Sequence, residues 1–190
     1  MSLNKPATAT TVTHHEENEA LVKVLGFWDK YSKPIIYIGS AIILAIAGYF
    51  IYKTFVKEPK ELKAAETIFP AQKLFDKMAS AGFNKDSVNI LLNGGVLEGQ
   101  PVTGLLKIQN SYSGTQAANL AAYMTGAAYL QIKEFDKAIK YLKEFNGHGA
   151  TQVESRAYVM LGHAYAEKKN SDEALNYYKK GASVNSKDET

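Results

Sequence analysis

GAAYLQIKEFDKAIKYL at residues 126–142 and GHAYAEKKNSDEALNYY at residues 162–178 read as two versions of one pattern, offset by 36 residues. Gly126 aligns with Gly162, Tyr129 with Tyr165, Asp136 with Asp172, Ala138 with Ala174 and Tyr141 with Tyr177; Lys143 and Lys179 continue the match. Each version predicts a helix, a tight polar turn (Lys133-Glu134 or Lys168-Lys169-Asn170) and a second helix. The chemistry behind the spacing is steric: Gly126 and Ala138 belong where two antiparallel helices touch, because only a small side chain permits close backbone approach. Tyr129 and Leu142 are expected to fill the groove beside that contact. In the second unit the same roles fall to Gly162, Ala174, Tyr165 and Tyr178. A repeat of this length implies units that bury a continuous core by stacking on their neighbours.

Upstream, Lys60 to Met78 predicts a helix with Leu62, Ala65, Ile68, Phe69, Phe75 and Met78 on its apolar face. Pro59 suits its first turn, while Pro70 falls inside the pattern and predicts a kink. Residues 79–101 are glycine-rich, and their apolar piece Val88–Leu92 fits a strand or a short helix equally. A short helix follows over Gly104–Tyr112, with Gly114 as its stop and Thr115 as the cap of the next helix.

Further upstream, residues 35–52 (IIYIGSAIILAIAGYFIY) hold eighteen positions without a charge. With their flanks they approach the roughly 20 residues needed to cross about 30 Å of hydrocarbon. The expected anchor includes Trp28, Tyr31, Ile35, Ile43, Gly48 and Tyr52, with the aromatic residues at headgroup level. Ala45-Ile46-Ala47 has the form of a signal-cleavage triplet, but 34 residues with four acids precede the run and Tyr49, Phe50 and Tyr52 extend it, so a retained span is expected. Ala20 to Lys33 reads as an amphipathic lead-in, with Leu21, Val24, Leu25 and Trp28 on one face. Residues 1–19 read as a disordered tail.

Composition excludes several function classes. Without cysteine there is no disulfide framework, thiolate metal site or cysteine nucleophile. Residues 58–190 carry 16 Lys+Arg against 15 Asp+Glu, and Arg156 is the one arginine of the chain, so no cationic face for nucleic acid is expected. Neither a glycine-rich phosphate loop nor a nucleophile elbow nor a zinc-helix motif is present, so neither catalysis nor a cofactor is expected. His163 and Glu167 have ligand spacing but no second pair nearby, and His14-His15-Glu16-Glu17 lies in the expected tail; both read as solvated groups. Asp172-Glu173 sits where it offsets a helix dipole.

The paired pattern resembles the tetratricopeptide repeat, whose unit is about 34 residues. Asn146-Gly147-His148-Gly149 accommodates the extra length, and Phe145 and Gly181 depart from that family by standing at its late alanine position. The expected fold class is all-α: a single transmembrane helix followed by a tetratricopeptide-like α-solenoid. The corresponding organisation is a tail (1–19), an amphipathic interfacial segment (20–33), a transmembrane helix (34–57), a degenerate helical repeat region (58–114), two repeats (115–184) and a tail (185–190).

Together with FWDKYSKPIIYIGSAIILAIAGYFIYKTFVKEPKELKAAE (residues 27–66), Ala117–Tyr129 and Arg156–Tyr165, this layout resembles the YfgM-type ancillary translocon subunits in their Bacteroidetes-like form. The resemblance implies a single-pass inner-membrane protein with a periplasmic domain. Its implied partners are translocon subunits, periplasmic chaperones or exported clients, besides the bilayer itself. Lysines near the span number three before it (Lys23, Lys30, Lys33) and four after it (Lys53, Lys57, Lys60, Lys63), so charge does not choose an orientation. A cytosol-facing receptor or an assembly factor for another envelope complex is the alternative.

In such repeats the first helix of each unit lines the concave face. This places Leu120, Tyr123, Ala127 and Leu130, then Arg156, Val159 and His163, in a peptide-binding groove. The last helix, about Ser171–Ala182, is expected to turn Leu175 and Tyr178 inward and leave Tyr177, Ala182 and Val184 as an open edge. That edge calls for cover, by chain beyond Thr190 or by a partner.

Overall fold

The computed structural model describes residues 13–185. The expected N-terminal tail lies outside the described residues over 1–12, whereas Thr13 onward is helical; 186–190 also lie outside them. The chain divides into two compact units, one ending at Thr54 and the other beginning at Phe55.

The first unit is one helix, α1 (Thr13–Tyr52), which runs through Pro34. The helical run from Lys30 contains an 18-residue window of mean hydropathy 2.1, none of it buried, long and apolar enough to cross a membrane. Trp28, Tyr31, Ile35, Ile43 and Tyr52 are all exposed on it, and nothing lies near Gly39 or Gly48. The side chains of Leu21 and Val24, and those of the His14–Glu17 cluster, lie outside the described residues. A π-helical segment, Lys53–Lys57, follows α1 in sequence.

The second unit starts with α2 (Glu58–Ala81), with Pro59 in its first turn, and the helix continues through Pro70 rather than ending there. Its buried stripe is Ala64, Ile68, Ala71, Leu74 and Met78. Leu62, Ala65 and Phe69, expected on that face, are exposed instead. The helix carries two apolar stripes; the one with alanines at 64 and 71 permits the closer approach and is the one covered.

Next, α3 (Lys85–Asn93) starts at Asn84, whose Oδ1 accepts the Ser87 N–H at 2.8 Å. This helix contains Val88–Leu92 and resolves that ambiguity. A hairpin follows, β1 (Gly94–Leu97) against β2 (Gln100–Thr103), antiparallel with Gly94 opposite Thr103. The all-α expectation is thereby corrected to a mostly helical fold with one two-stranded hairpin. Glycines make it possible: Gly99 turns at φ +77°, and a Cβ at Gly104 would lie 2.3 Å from the carbonyl carbon of Asn93. α4 (Leu105–Ser111) then leads to two helical pairs, α5 (Gln116–Gln131) with α6 (Phe135–Glu144), and α7 (Thr151–Glu167) with α8 (Ser171–Asn185).

The main core joins Ile68, Leu74, Leu91, Leu105, Ile108 and Met124; a smaller cluster of Leu142, Ala157 and Leu161 seals α6 to α7. Two expectations at the end of the chain change. Leu175, expected inward, is 54% exposed. Tyr177, expected on an open edge, is half-buried against Tyr165, with ring centroids 5.4 Å apart and planes 7° apart. The repeat explains it, because Tyr129 and Tyr141 stack in the same way at 5.7 Å in the first pair.

Candidate functional site

The site is built by two helix pairs that repeat each other's contacts at an offset of 36 residues. Thr115 caps α5, its hydroxyl oxygen accepting the Ala118 N–H at 3.1 Å. Both first helices end in the same chain reversal: Glu134 N–H donates to Tyr129 O and Asn170 N–H to Tyr165 O, each at 2.9 Å. Lys133 and Lys169 take the left-handed conformation at φ 63° and 59° inside those turns. Side chains of the first helices then hold the ends of the second. Asn119 donates to Asn146 O at 2.7 Å and accepts the Asn146 N–H at 2.9 Å, while the Ser155 hydroxyl donates to Gly181 O at 2.8 Å.

The close approach expected at the glycines is present. A Cβ at Gly126 would stand 2.6 Å from Leu142 Cγ and 3.0 Å from the Leu142 backbone nitrogen. A Cβ at Gly162 would stand 2.5 Å from the Tyr178 ring. Ala138 and Ala174 are buried in the same contacts. Tyr129 and Tyr165 differ from their expected role: Leu142 and Tyr178 cover the glycines, and the two tyrosines stack on Tyr141 and Tyr177.

Lys143 of α6 reaches over both rings of the second stack, 5.3 Å from Tyr165 and 5.9 Å from Tyr177, tying one unit to the next. The hydrogen bond with Tyr165 holds its ammonium above the usual lysine range. Lys168 also pairs with Asp136 across the units.

Between the pairs lies an open groove of about 380 Å³ lined by Leu130, Gln131 and Lys133, Phe135, His163, Ala166 and Glu167, and Tyr178. Of the seven residues expected to line the concave face, Leu130 and His163 meet here. His163 presents its ring to the edge of Tyr178 at 5.6 Å. Ala127 is only 6% exposed and belongs to the core, a correction that follows from α5 being covered on most of its circumference. Leu120 and Tyr123 are half-buried; Tyr123 faces Phe145 at 5.3 Å, and burial raises its phenol above the ordinary range while Arg156 opposes the shift. Arg156 is exposed, and Val159 turns toward Gly181 instead of the groove. Phe135 and Tyr178 were not legible as groove residues, because the second helices contribute them. Among the described residues no three His, Asp or Glu side chains gather to hold a metal.

Residues 155–188 match the tetratricopeptide repeat family. The second pair is therefore similar to a tetratricopeptide repeat. With the mostly helical architecture around it, this repeat supports a tetratricopeptide protein, and such repeats generally mediate protein–protein interactions as non-catalytic scaffolds. The matched segment spans the turn at Lys169 and the contact of Gly162 with Tyr178. The first pair reproduces that repeat's turn and glycine contact at Lys133 and Gly126. The chain matches no curated protein and no solved structure.

Proposed function

We propose that this chain is a membrane-anchored adaptor. In this reading α1 crosses the bacterial inner membrane once, and the repeat domain binds segments of exported polypeptides or of their chaperones beside the protein-export channel. The observation that carries it is the groove joining Leu130 and Phe135 of one pair to His163, Ala166 and Tyr178 of the tetratricopeptide repeat. Its lining mixes apolar Leu130, Phe135 and Ala166 with polar Gln131, Lys133, His163 and Glu167, and so suits an amphipathic peptide better than an acidic tail, which would need several cations in one place. The unburied apolar window of α1 supports the anchor. The resemblance to the YfgM-type subunits supports the location and the periplasmic side.

Two measurements test the reading. Since the chain has no cysteine, single cysteines at Ser2 and Ser186 report topology cleanly. An impermeant maleimide on intact cells is expected to label Ser186→Cys and spare Ser2→Cys; the reverse pattern places the domain in the cytosol. A photo-crosslinking residue at His163 is expected to capture channel subunits or exported chains, and one at exposed Lys85 is not. Equal capture at both sites would sink the groove as the binding surface.

A further inference from the structure

Two Asn-Gly steps occur in the chain, Asn93-Gly94 and Asn146-Gly147. In such a step the glycine nitrogen reaches the asparagine Cγ through a five-membered ring, and no Cβ on the glycine crowds the approach. Both asparagines are exposed, yet the fold equips them differently.

Asn93 closes α3. The Gly94 N–H donates to Ile90 O, and the Asn93 amide donates to Asn89 Oδ1 at 2.7 Å. Nucleophile and leaving group are thus both held in the helix end. Asn146 lies between α6 and α7, and the Gly147 N–H makes no hydrogen bond among the described residues. The Asn146 Oδ1 accepts the His148 N–H at 2.9 Å, so a donor already stands where negative charge develops when Cγ is attacked. A proton acceptor packs against the same peptide. A Cβ on Gly147 would stand 2.6 Å from Glu154 Oε2, while Glu154 Oε1 is engaged by the Tyr158 hydroxyl at 3.1 Å.

We propose that Asn146 is a self-deamidation site, with Gly147 as nucleophile, the His148 N–H as oxyanion donor and Glu154 as proton acceptor. The Gly147 nitrogen bonds to Cγ as its proton passes to the Glu154 carboxylate. The Cγ–Nδ2 bond then breaks, and Nδ2 takes that proton and leaves as ammonia, which closes a succinimide. One water molecule opens the ring at either carbonyl, giving aspartate or isoaspartate. The product matters because of where it forms. Asn119 clamps both backbone groups of Asn146, at 2.7 and 2.9 Å, where α6 hands over to α7. Isoaspartate lengthens the main chain there by one methylene, so the two groups no longer match the Asn119 amide and the joint between the pairs loosens. The proposal does not depend on the groove or its ligand.

The test incubates the full, detergent-solubilised chain at neutral pH and quantifies its digest peptides by mass spectrometry, with isoaspartate resolved by chromatography. Asn146 is expected to convert at least as fast in the folded chain as in urea. In the folded chain Asn93 is expected to convert at least about tenfold more slowly than Asn146, since the Gly94 hydrogen bond must open first. Glu154→Gln keeps the shape and an acceptor for Tyr158; it is expected to slow Asn146 in the folded chain and leave the rate in urea unchanged. Asn146→Ser retains the clamped backbone groups, and is expected to match the fresh chain in its thermal midpoint and to lack the drop that ageing causes. Protection of Asn146 on folding overturns the proposal. So does equal conversion at Asn93, an unchanged rate in Glu154→Gln, or an equal drop in aged Asn146→Ser.

Discussion

The two helical pairs share a sequence pattern and differ in how much surrounds them. The α5–α6 pair is packed on both sides, against α2 and α4 before it and α7 after it. Among the described residues, the α7–α8 pair, which carries the family match, is packed on one side only. At two equivalent positions the first pair has the more enclosed aliphatic residue: Leu142 is buried where Tyr178 is half-buried, and Ile139 is half-buried where Leu175 is exposed. The comparison separates what a repeat needs in order to form from what it needs in order to be enclosed. The glycine contact, the left-handed turn and the tyrosine stack recur in both pairs. Among the described residues the apolar seal exists in one.

The largest expected difference lies at Ile139 and Leu175. Ile139→Asp places a charge against the cluster of Leu142, Ala157 and Leu161, and is expected to destabilise the domain by about 2–3 kcal/mol. Leu175→Asp, at the same place in the other pair, is expected to change stability by less than about 0.5 kcal/mol. Thermal melts of the detergent-solubilised chain followed by circular dichroism measure both, and equal losses would break the comparison.

A smaller difference is expected at the glycines. Gly126→Ala drives a methyl against Leu142, including its backbone nitrogen, and is expected to lose about 1–3 kcal/mol by overpacking. At Gly162→Ala the nearest atoms are ring atoms of Tyr178, which borders the open groove, and the ring is expected to yield toward it. Alanine also gains about 1 kcal/mol over glycine in a helix interior, so the net change there is expected to lie near zero. The same melts read the pair; a Gly162→Ala loss as large as that of Gly126→Ala would show Tyr178 to be as fixed as Leu142.

The smallest effect concerns helix starts. Thr115→Ala removes the cap of α5 and is expected to lose about 1 kcal/mol. At the start of α7 the cap position is Ala150, which has no side chain to accept an N–H. Ala150→Ser is expected to gain about 0.5–1 kcal/mol, raising the midpoint of the melt. No gain would mean that the start of α7 is already satisfied by other groups.

The sequence by itself determined whatever depends on local spacing. The two helical pairs, their turns at Lys133 and Lys169, the cap at Thr115 and the small residues at 126, 138, 162 and 174 follow from periodicity and steric size. So does a helix with a long apolar window, because hydrophobic length is a property of one segment. Tertiary structure alone decided which apolar residues are inside. On α2 two stripes compete, and burial of Ala64 and Ala71 over Leu62 and Phe69 depends on what α5 and the hairpin bring against it. Contacts between distant segments stayed hidden for the same reason. Glu61 accepts the Gln116 N–H at 2.7 Å and Lys60 donates to Ser113 O at 2.7 Å, pinning the start of α2 to the start of α5 across more than fifty residues. The groove belongs to that second class. Leu130 and His163 were legible as first-helix positions, but Phe135 and Tyr178 enter from the second helices, and only packing brings the four together. A residue's exposure is set by its neighbours in space, and the sequence names those neighbours only where the chain repeats itself.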